Sequence, residues 1–194
     1  QTVRPLITRH GLSLYIESKG LKILFDTGPD ESIIDNAEEL SIDLSEIDFA
    51  VVSHGHYDHG GGVSAFCRNN SSAPIYLHEK SYKDGHFSQR PGGKMKNADF
   101  VIDKNYFDRV VTVDKHPSET QDGVVMLDPL GEVVLITGFL KEGYIPAGNK
   151  NLYRQETGGE IENDDFSHEI AMLIRENGKN ILFTGCSHSG VGNM

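Results

Sequence analysis

The sequence predicts a single-domain α/β fold, and three observations carry that reading. Short apolar runs of strand length recur along the chain, with stretches of helical periodicity between them. One of these runs, Phe49-Ala50-Val51-Val52, leads straight into Ser53-His54-Gly55-His56-Tyr57-Asp58-His59-Gly60-Gly61-Gly62, as a strand delivers polar side chains to the mouth of a fold. The length of 194 residues suits one domain with a sizeable core.

Taken in order, Leu12 to Glu17 alternates apolar and polar residues and predicts a half-buried strand. Ser18-Lys19-Gly20 is a turn, Leu21 to Phe25 is a second strand, and the two predict a hairpin ending in Asp26-Thr27-Gly28. Residues 31–40 predict a helix with Ile33, Ile34, Ala37 and Leu40 on one face and Asp30 as N-cap. Phe49 to Ser53 is a buried strand, Gly62 to Asn69 a helix, and Pro74 to His78 another strand. Lys83 to Asn97 is polar and glycine-rich, and predicts a surface loop over the site mouth. Further strands are expected at 110–113, 124–127 and 132–137. Residues 139–167 lack periodicity and end in an acidic stretch. His168 to Ile174 and Asn180 to Thr184 predict a second hairpin, running into Gly185-Cys186-Ser187-His188-Ser189-Gly190. The two hairpins echo each other, because the second strand of each contains Ile-Leu-Phe.

Bulk properties exclude several classes. A formal net charge of −11 argues against binding to nucleic acid or to an anionic membrane, which need clustered Lys and Arg. An anionic substrate remains open, because bound divalent cations reverse a local field. No apolar run approaches the ~20 residues of a membrane span, and Gln1 to Pro5 shows no signal-peptide character. Two cysteines, Cys67 and Cys186, form no disulfide framework and predict a reducing, cytoplasmic compartment. Nothing in the sequence indicates an oligomeric state. The first residue is Gln, so the chain is expected to be part of a longer protein.

The histidine loop holds three of the nine histidines and one carboxylate. His54 and His56, two apart on extended chain, point to one side and reach one ion. Asp58 and His59 follow a turn and reach a neighbouring position, while the glycines remove side chains where the backbone bends. Imidazole and carboxylate together suit zinc, or iron or manganese. Asp26 reads either as a carboxylate that orients the ligand loop or as a turn aspartate. His188 is expected as a further ligand from another strand end. Cys186 is either a thiolate ligand or a small buried filler. One of Asp164, Asp165 and His168 could complete a shell, with Asp165 the candidate carried forward; a charged loop is the other reading. His10, His78, His86 and His116 have no partners in sequence and are expected to be surface or satisfied histidines.

Residues 53–62, with Phe25-Asp26-Thr27-Gly28 before them, resemble the metallo-β-lactamase superfamily and its His-x-His-x-Asp-His motif. Gly11-Leu12-Ser13, Asp164-Asp165…His168-Glu169 and Gly185 to Gly190 resemble a narrower group within it. That group comprises metal-dependent hydrolases and relatives of a dihydropterin–aminobenzene ribofuranosyl phosphate synthase of methanopterin biosynthesis. The resemblance implies a four-layer αββα sandwich with a dinuclear site of two divalent ions at one edge. By position it implies His54 and His56 on one ion, Asp58 and His59 on the other, and Asp26 supporting the loop. Cys186 stands where most relatives have a bridging Asp, which shifts the expectation to His188. Relatives begin one strand earlier and continue through another strand and helix to a final histidine. Residues 1–194 are therefore expected to be one domain of this type, incomplete at the C-terminus.

The function this implies is a metal-dependent hydrolase, in which a dinuclear-site hydroxide attacks a carbonyl or phosphoryl centre and Asp58 shuttles protons. One alternative is a transferase joining a dihydropterin pyrophosphate to an aminobenzene ribofuranosyl phosphate. Others are an iron-bearing redox or sensor module, and a binding module without chemistry. The expected partner is a small molecule, phosphorylated in the transferase reading, with Lys83, Arg90, Lys94 and Lys96 as candidate phosphate contacts.

Overall fold

The computed structural model describes residues 5–115, 123–128 and 130–194, so His116 lies outside the described residues. Its strands are β1 (Leu14–Ser18), β2 (Leu21–Phe25), β3 (Phe49–Val51), β4 (Ile75–Leu77), β5 (Gly85–Ser88), β6 (Lys96–Asn97) and β7 (Val110–Thr112). They continue with β8 (Val124–Met126), β9 (Val133–Ile136), β10 (Leu152–Gln155), β11 (Ile161–Asn163), β12 (Ala171–Glu176) and β13 (Lys179–Phe183). The α-helices are α1 (Ser32–Glu39), α2 (Tyr57–Gly60), α3 (Val63–Asn69) and α4 (Lys80–Lys83).

The first sheet runs β1-β2-β3-β4-β7, with β1 antiparallel and the rest parallel. The second runs β13-β12-β9-β8, all antiparallel. Side-chain alternation explains why the first sheet is buried on both faces. Ile23 and Phe25 of β2 and Phe49 and Val51 of β3 join Val125, Leu135, Met172 and Ile174 in a core between the sheets. Leu24 and Ala50, one residue out of phase, join Ile75, Leu77, Ile33, Val63 and Phe66 in a second core under α1 and α3. Helix, sheet and sheet are thus three layers of a sandwich.

Both expected hairpins form. Lys19 (φ 56) and Gly20 (φ 76) turn the first, and Asn177 (φ 51) and Gly178 (φ 73) turn the second. Two left-handed residues in a row match the twist of antiparallel strands. The two Ile-Leu-Phe strands meet across the core, with Phe25 and Phe183 ring centroids 6.3 Å apart.

Several expectations change. The helix at 31–40 begins at Ser32, and the Glu31 side chain makes no capping bond; Asp30 Oδ1 accepts from Ser32 N (2.9 Å) from one residue further out. Leu40 is exposed rather than packed. The segment 83–97 is not a loop but holds β5 and β6, which join β10 and β11 in a third sheet, β11-β10-β5-β6. Residues 139–167, read as irregular, supply those partners. At their centre is buried Arg154, ion-paired with Asp84 (2.7 Å) and Glu156 (2.9 Å) and approached by Glu162 (3.5 Å) and Asp165 (3.6 Å) of the acidic stretch. The strand expected from His168 starts only at Ala171, because 166–170 leaves the ladder and Ile170 N donates to Ser53 O (2.7 Å). Among the described residues, no helix is long and apolar enough to cross a membrane.

Phe25→Ala, which empties the space between the sheets, is expected to cost about 3–5 kcal/mol in urea denaturation, whereas Leu40→Ala should change stability by about 0.5 kcal/mol or less.

Candidate metal centre

Strands β2 and β3 are parallel neighbours, so their C-terminal ends lie side by side. That places Asp26 beside Ser53. Asp26 is fully buried and adopts a left-handed backbone (φ 61), an uncommon state for a residue with a side chain. Its carboxylate accepts from Ser53 N (2.7 Å), Ser53 Oγ (2.8 Å) and His59 Nδ1 (2.6 Å).

These bonds set the imidazole tautomers. The Ser53 hydroxyl gives its proton to Asp26, so it accepts from His54 Nδ1–H (2.9 Å), and His54 Nε2 is left bare. His59 Nδ1–H donates to Asp26, which turns Nε2 inward, 3.2 Å from Cys186 Sγ. His188 Nδ1 meets Asn149 Oδ1 (3.1 Å), which leaves its Nε2 buried and unpaired. His56 Nδ1 lies 3.1 Å from His54 Nε2, and its own Nε2 is buried without a partner.

The loop glycines are places where a side chain would not fit. Gly55 and Gly61 are not left-handed; they permit close approach. A Cβ on Gly55 would lie 2.2 Å from His86 Nε2, and one on Gly61 2.0 Å from Pro29 O.

The second sheet supplies the other side. Glu169, fully buried, accepts from His188 N and Ser189 N (both 2.7 Å) and fixes the turn after β13, where Ser187 is left-handed (φ 55). Phe166 stacks on the His188 ring, with centroids 4.4 Å apart. Cys186 is exposed, which removes the buried-filler reading. Asp58 Oδ2 lies 3.7 Å from His59 Nε2 and 3.3 Å from His10 Nε2.

The structure thus brings together His54, His56, His59, His188 and Cys186, with Asp58 at the edge and Asp26 beneath. It does not bring Asp165 in: that carboxylate accepts from Ser167 N (3.0 Å) and faces Arg154 Nε (3.6 Å). Its neighbour Asp164 turns inward instead, with Oδ2 3.1 Å from His168 Nε2. His168 has no open lone pair, because Nδ1 accepts from Gly55 N (3.1 Å). Glu169 and Asn149 were missed by sequence reasoning, and His86, expected to be a surface or satisfied histidine, is fully buried with Nδ1 unpaired. Of the candidate phosphate contacts, Lys83 pairs with Glu79, and Arg90, Lys94 and Lys96 are exposed.

The family model of the metallo-beta-lactamase superfamily matches residues 6–149. The chain belongs to this superfamily. A 7,8-dihydropterin-6-methyl-4-(beta-D-ribofuranosyl)-aminobenzene-5'-phosphate synthase of Methanocaldococcus jannaschii is 32% identical over 201 residues, covering 98% of this chain and 65% of that protein. An uncharacterised protein of the same organism is 26% identical, covering 98% of this chain and 68% of its own length. Among solved structures, a metal-dependent hydrolase of the beta-lactamase superfamily matches with a TM-score of 0.70 and 25% identity, over 95% of this chain and 62% of that one. The chain therefore spans about two thirds of the length of these relatives.

Members of the metallo-beta-lactamase superfamily typically bind metal ions, and the residues here fit that chemistry. His54, His56 and His188 bring donor atoms within 4.8 Å of one another, as do His54, His59 and Cys186. Burial, followed by repulsion from neighbouring imidazoles, pushes the affinity of His54 and His56 for protons well below the usual range. Burial also lowers His188, to about 4. For His59 burial acts in the same direction, but the bonds to Asp26 and Cys186 outweigh it and raise the pKa to about 10.

These shifts predict how the metal-free protein responds to pH. Folded His188 refuses the proton that the unfolded chain accepts below its usual 6.5, so stability falls as pH drops from there through about 4. The contribution of His59 is fully present below 6.5 and is lost as pH rises through about 10. Chelator-treated protein should therefore be most stable near pH 6.5 in denaturation experiments; stability still rising at pH 9 would contradict this assignment.

Proposed function

We propose that this chain carries the centre of a metal-dependent hydrolase that acts on a carbonyl or phosphoryl group of a small molecule. One observation carries the reading: imidazole nitrogens of His54, His56 and His188, from both sheets, converge within 4.8 Å, His188 Nε2 is left unpaired, and the His54 and His188 rings are each held from behind by a hydrogen-bond partner. In water-soluble cores such groups are satisfied unless something else binds them.

In this reading His54, His56 and His188 hold one divalent ion, and Asp58, His59 and Cys186 hold a second, most simply zinc. Bound there, such ions supply Lewis acidity that polarises the attacked group and lowers the pKa of water toward ~7. The protein's own part is orientation and proton handling. Asp26 and Asn149 hold the imidazoles in the tautomer that leaves Nε2 free. Asp58 lies 3.3 Å from His10, whose side chain is 85% exposed, so a proton taken by the carboxylate has a route to solvent. Phe166, stacked on His188, keeps that side of the centre apolar.

The 32% identity to the synthase favours a second reading. Here pyrophosphate would leave a dihydropterin, with any ions held by these residues supplying charge to the leaving group, and an aminobenzene ribofuranosyl phosphate would accept the pterin.

One experiment on the full-length gene product separates these readings. Its metals are counted, and ester, phosphodiester and lactam hydrolysis are assayed beside pyrophosphate release from the two transferase substrates. The hydrolase reading expects turnover that chelation abolishes and divalent metal restores, with folded His56→Ala losing both metal and activity. Pyrophosphate release that needs both substrates would replace it with the transferase; undiminished activity in metal-free His56→Ala would overturn both. Iron with reversible redox chemistry and no turnover would point to a sensor module.

A further inference from the structure

Behind the histidine loop, away from Cys186 and His59, lies a second set of donors. His86 on β5 is fully buried, and its ring lies directly against Gly55. Its Nε2 is 3.1 Å from Lys80 O; a carbonyl only accepts, so Nε2 carries a proton and donates. Nδ1 then turns toward Asp164 Oδ2, 3.5 Å away, too far for a hydrogen bond, and is a buried nitrogen without a partner. Asp164 is already oriented from behind. Its Oδ1 accepts from Phe166 N (2.7 Å) and its Oδ2 from His168 Nε2 (3.1 Å). His168 is itself locked by Gly55 N. His56 closes the group: donor atoms of His56, His86 and Asp164 lie within 4.8 Å of one another, and all three residues are buried.

Two acceptor atoms facing each other across 3.5 Å in a dry interior repel unless a cation lies between them. A proton on His86 Nδ1 would relieve that pair but leave His56 Nε2 unpaired. A metal ion can relieve all three.

We propose that His56, His86 and Asp164 form an additional divalent-cation site, distinct from the two positions of the proposed catalytic centre and sharing His56 with it. Two imidazoles and a carboxylate are a ligand set that zinc accepts with one position left open. His56 would serve both places as a bridging imidazolate, with Nδ1 on the side of His54 and Nε2 toward His86 and Asp164, its ring proton leaving as the second ion binds. The ion ties the third sheet to the ligand loop: β5 carries His86, β10 pairs with it, and Asp164 follows β11. It also gives Asp164, whose carboxylate is kept ionised against the cost of burial by the bond from His168, a cationic partner.

The direct test needs no variant. Crystals of the full-length protein, purified with zinc, are measured on both sides of the zinc absorption edge. The proposal expects an anomalous peak bonded to His86 Nδ1 and Asp164 Oδ2. His86→Gln and Asp164→Asn should each lower the zinc content by one ion per chain, and the two variants guard against failure of either to fold. Peaks at His54 and His188 with none at His86, and unchanged zinc content in a folded variant, would overturn this site while leaving the proposed catalytic centre intact; a proton would then be the occupant. Absence of every peak would overturn both.

Discussion

The Asp26 carboxylate is the constraint on which the rest of the site depends. It is removed from water, at a cost of several kcal/mol for an unpaired ion, and three donors offset that cost. All three come from the segment that starts at the end of β3. Through Ser53 Oγ it fixes the tautomer of His54, and directly it fixes that of His59. The left-handed turn at Asp26 is the backbone strain that aims the carboxylate, and such strain persists only where surrounding contacts over-determine it. The β2–β3 ladder provides them, since Asp26 N donates to Val51 O (2.8 Å).

Glu169 repeats the device in the other sheet. Here the buried carboxylate takes two backbone N–H groups of a loop that presents a histidine, and the loop itself contains the left-handed residue, Ser187. The echo between the hairpins is therefore structural as well as textual. Each ends in a phenylalanine in the inter-sheet core, the two rings meet, and each chain then turns directly into the site. Packing between the sheets and geometry at the centre are coupled through those two residues, Phe25 and Phe183.

Much of this was legible wherever the signal is local. Strand β2 was read to its residue limits, because its apolar run and the Lys19-Gly20 turn lie within a few positions. Helix α3, read as Gly62 to Asn69, forms from Val63 to Asn69. What the sequence hid is non-local. Strands β5, β6 and β11 are short and polar, and their register, such as Arg154 opposite His86, joins segments with no common pattern. Without that pairing His86 sits in a polar, glycine-rich stretch and nothing marks it as buried. The choice between Asp164 and Asp165 hangs on one backbone angle: Phe166 is left-handed (φ 51), which turns Asp164 inward and leaves Asp165 to Arg154. The spacing Asp164-x-x-x-His168 was the one signal that could have favoured the first of the pair.

The central claim is that one buried carboxylate orients the metal-binding face of the histidine loop without touching an ion itself. Zinc affinity of Asp26→Asn measured by competition with a chromophoric chelator, on protein whose circular dichroism matches wild type, tests it directly. Loss of a carboxylate that orients ligands typically weakens metal binding by ~10–100-fold, and the account predicts a loss of that size. An affinity equal to that of the wild type would contradict it.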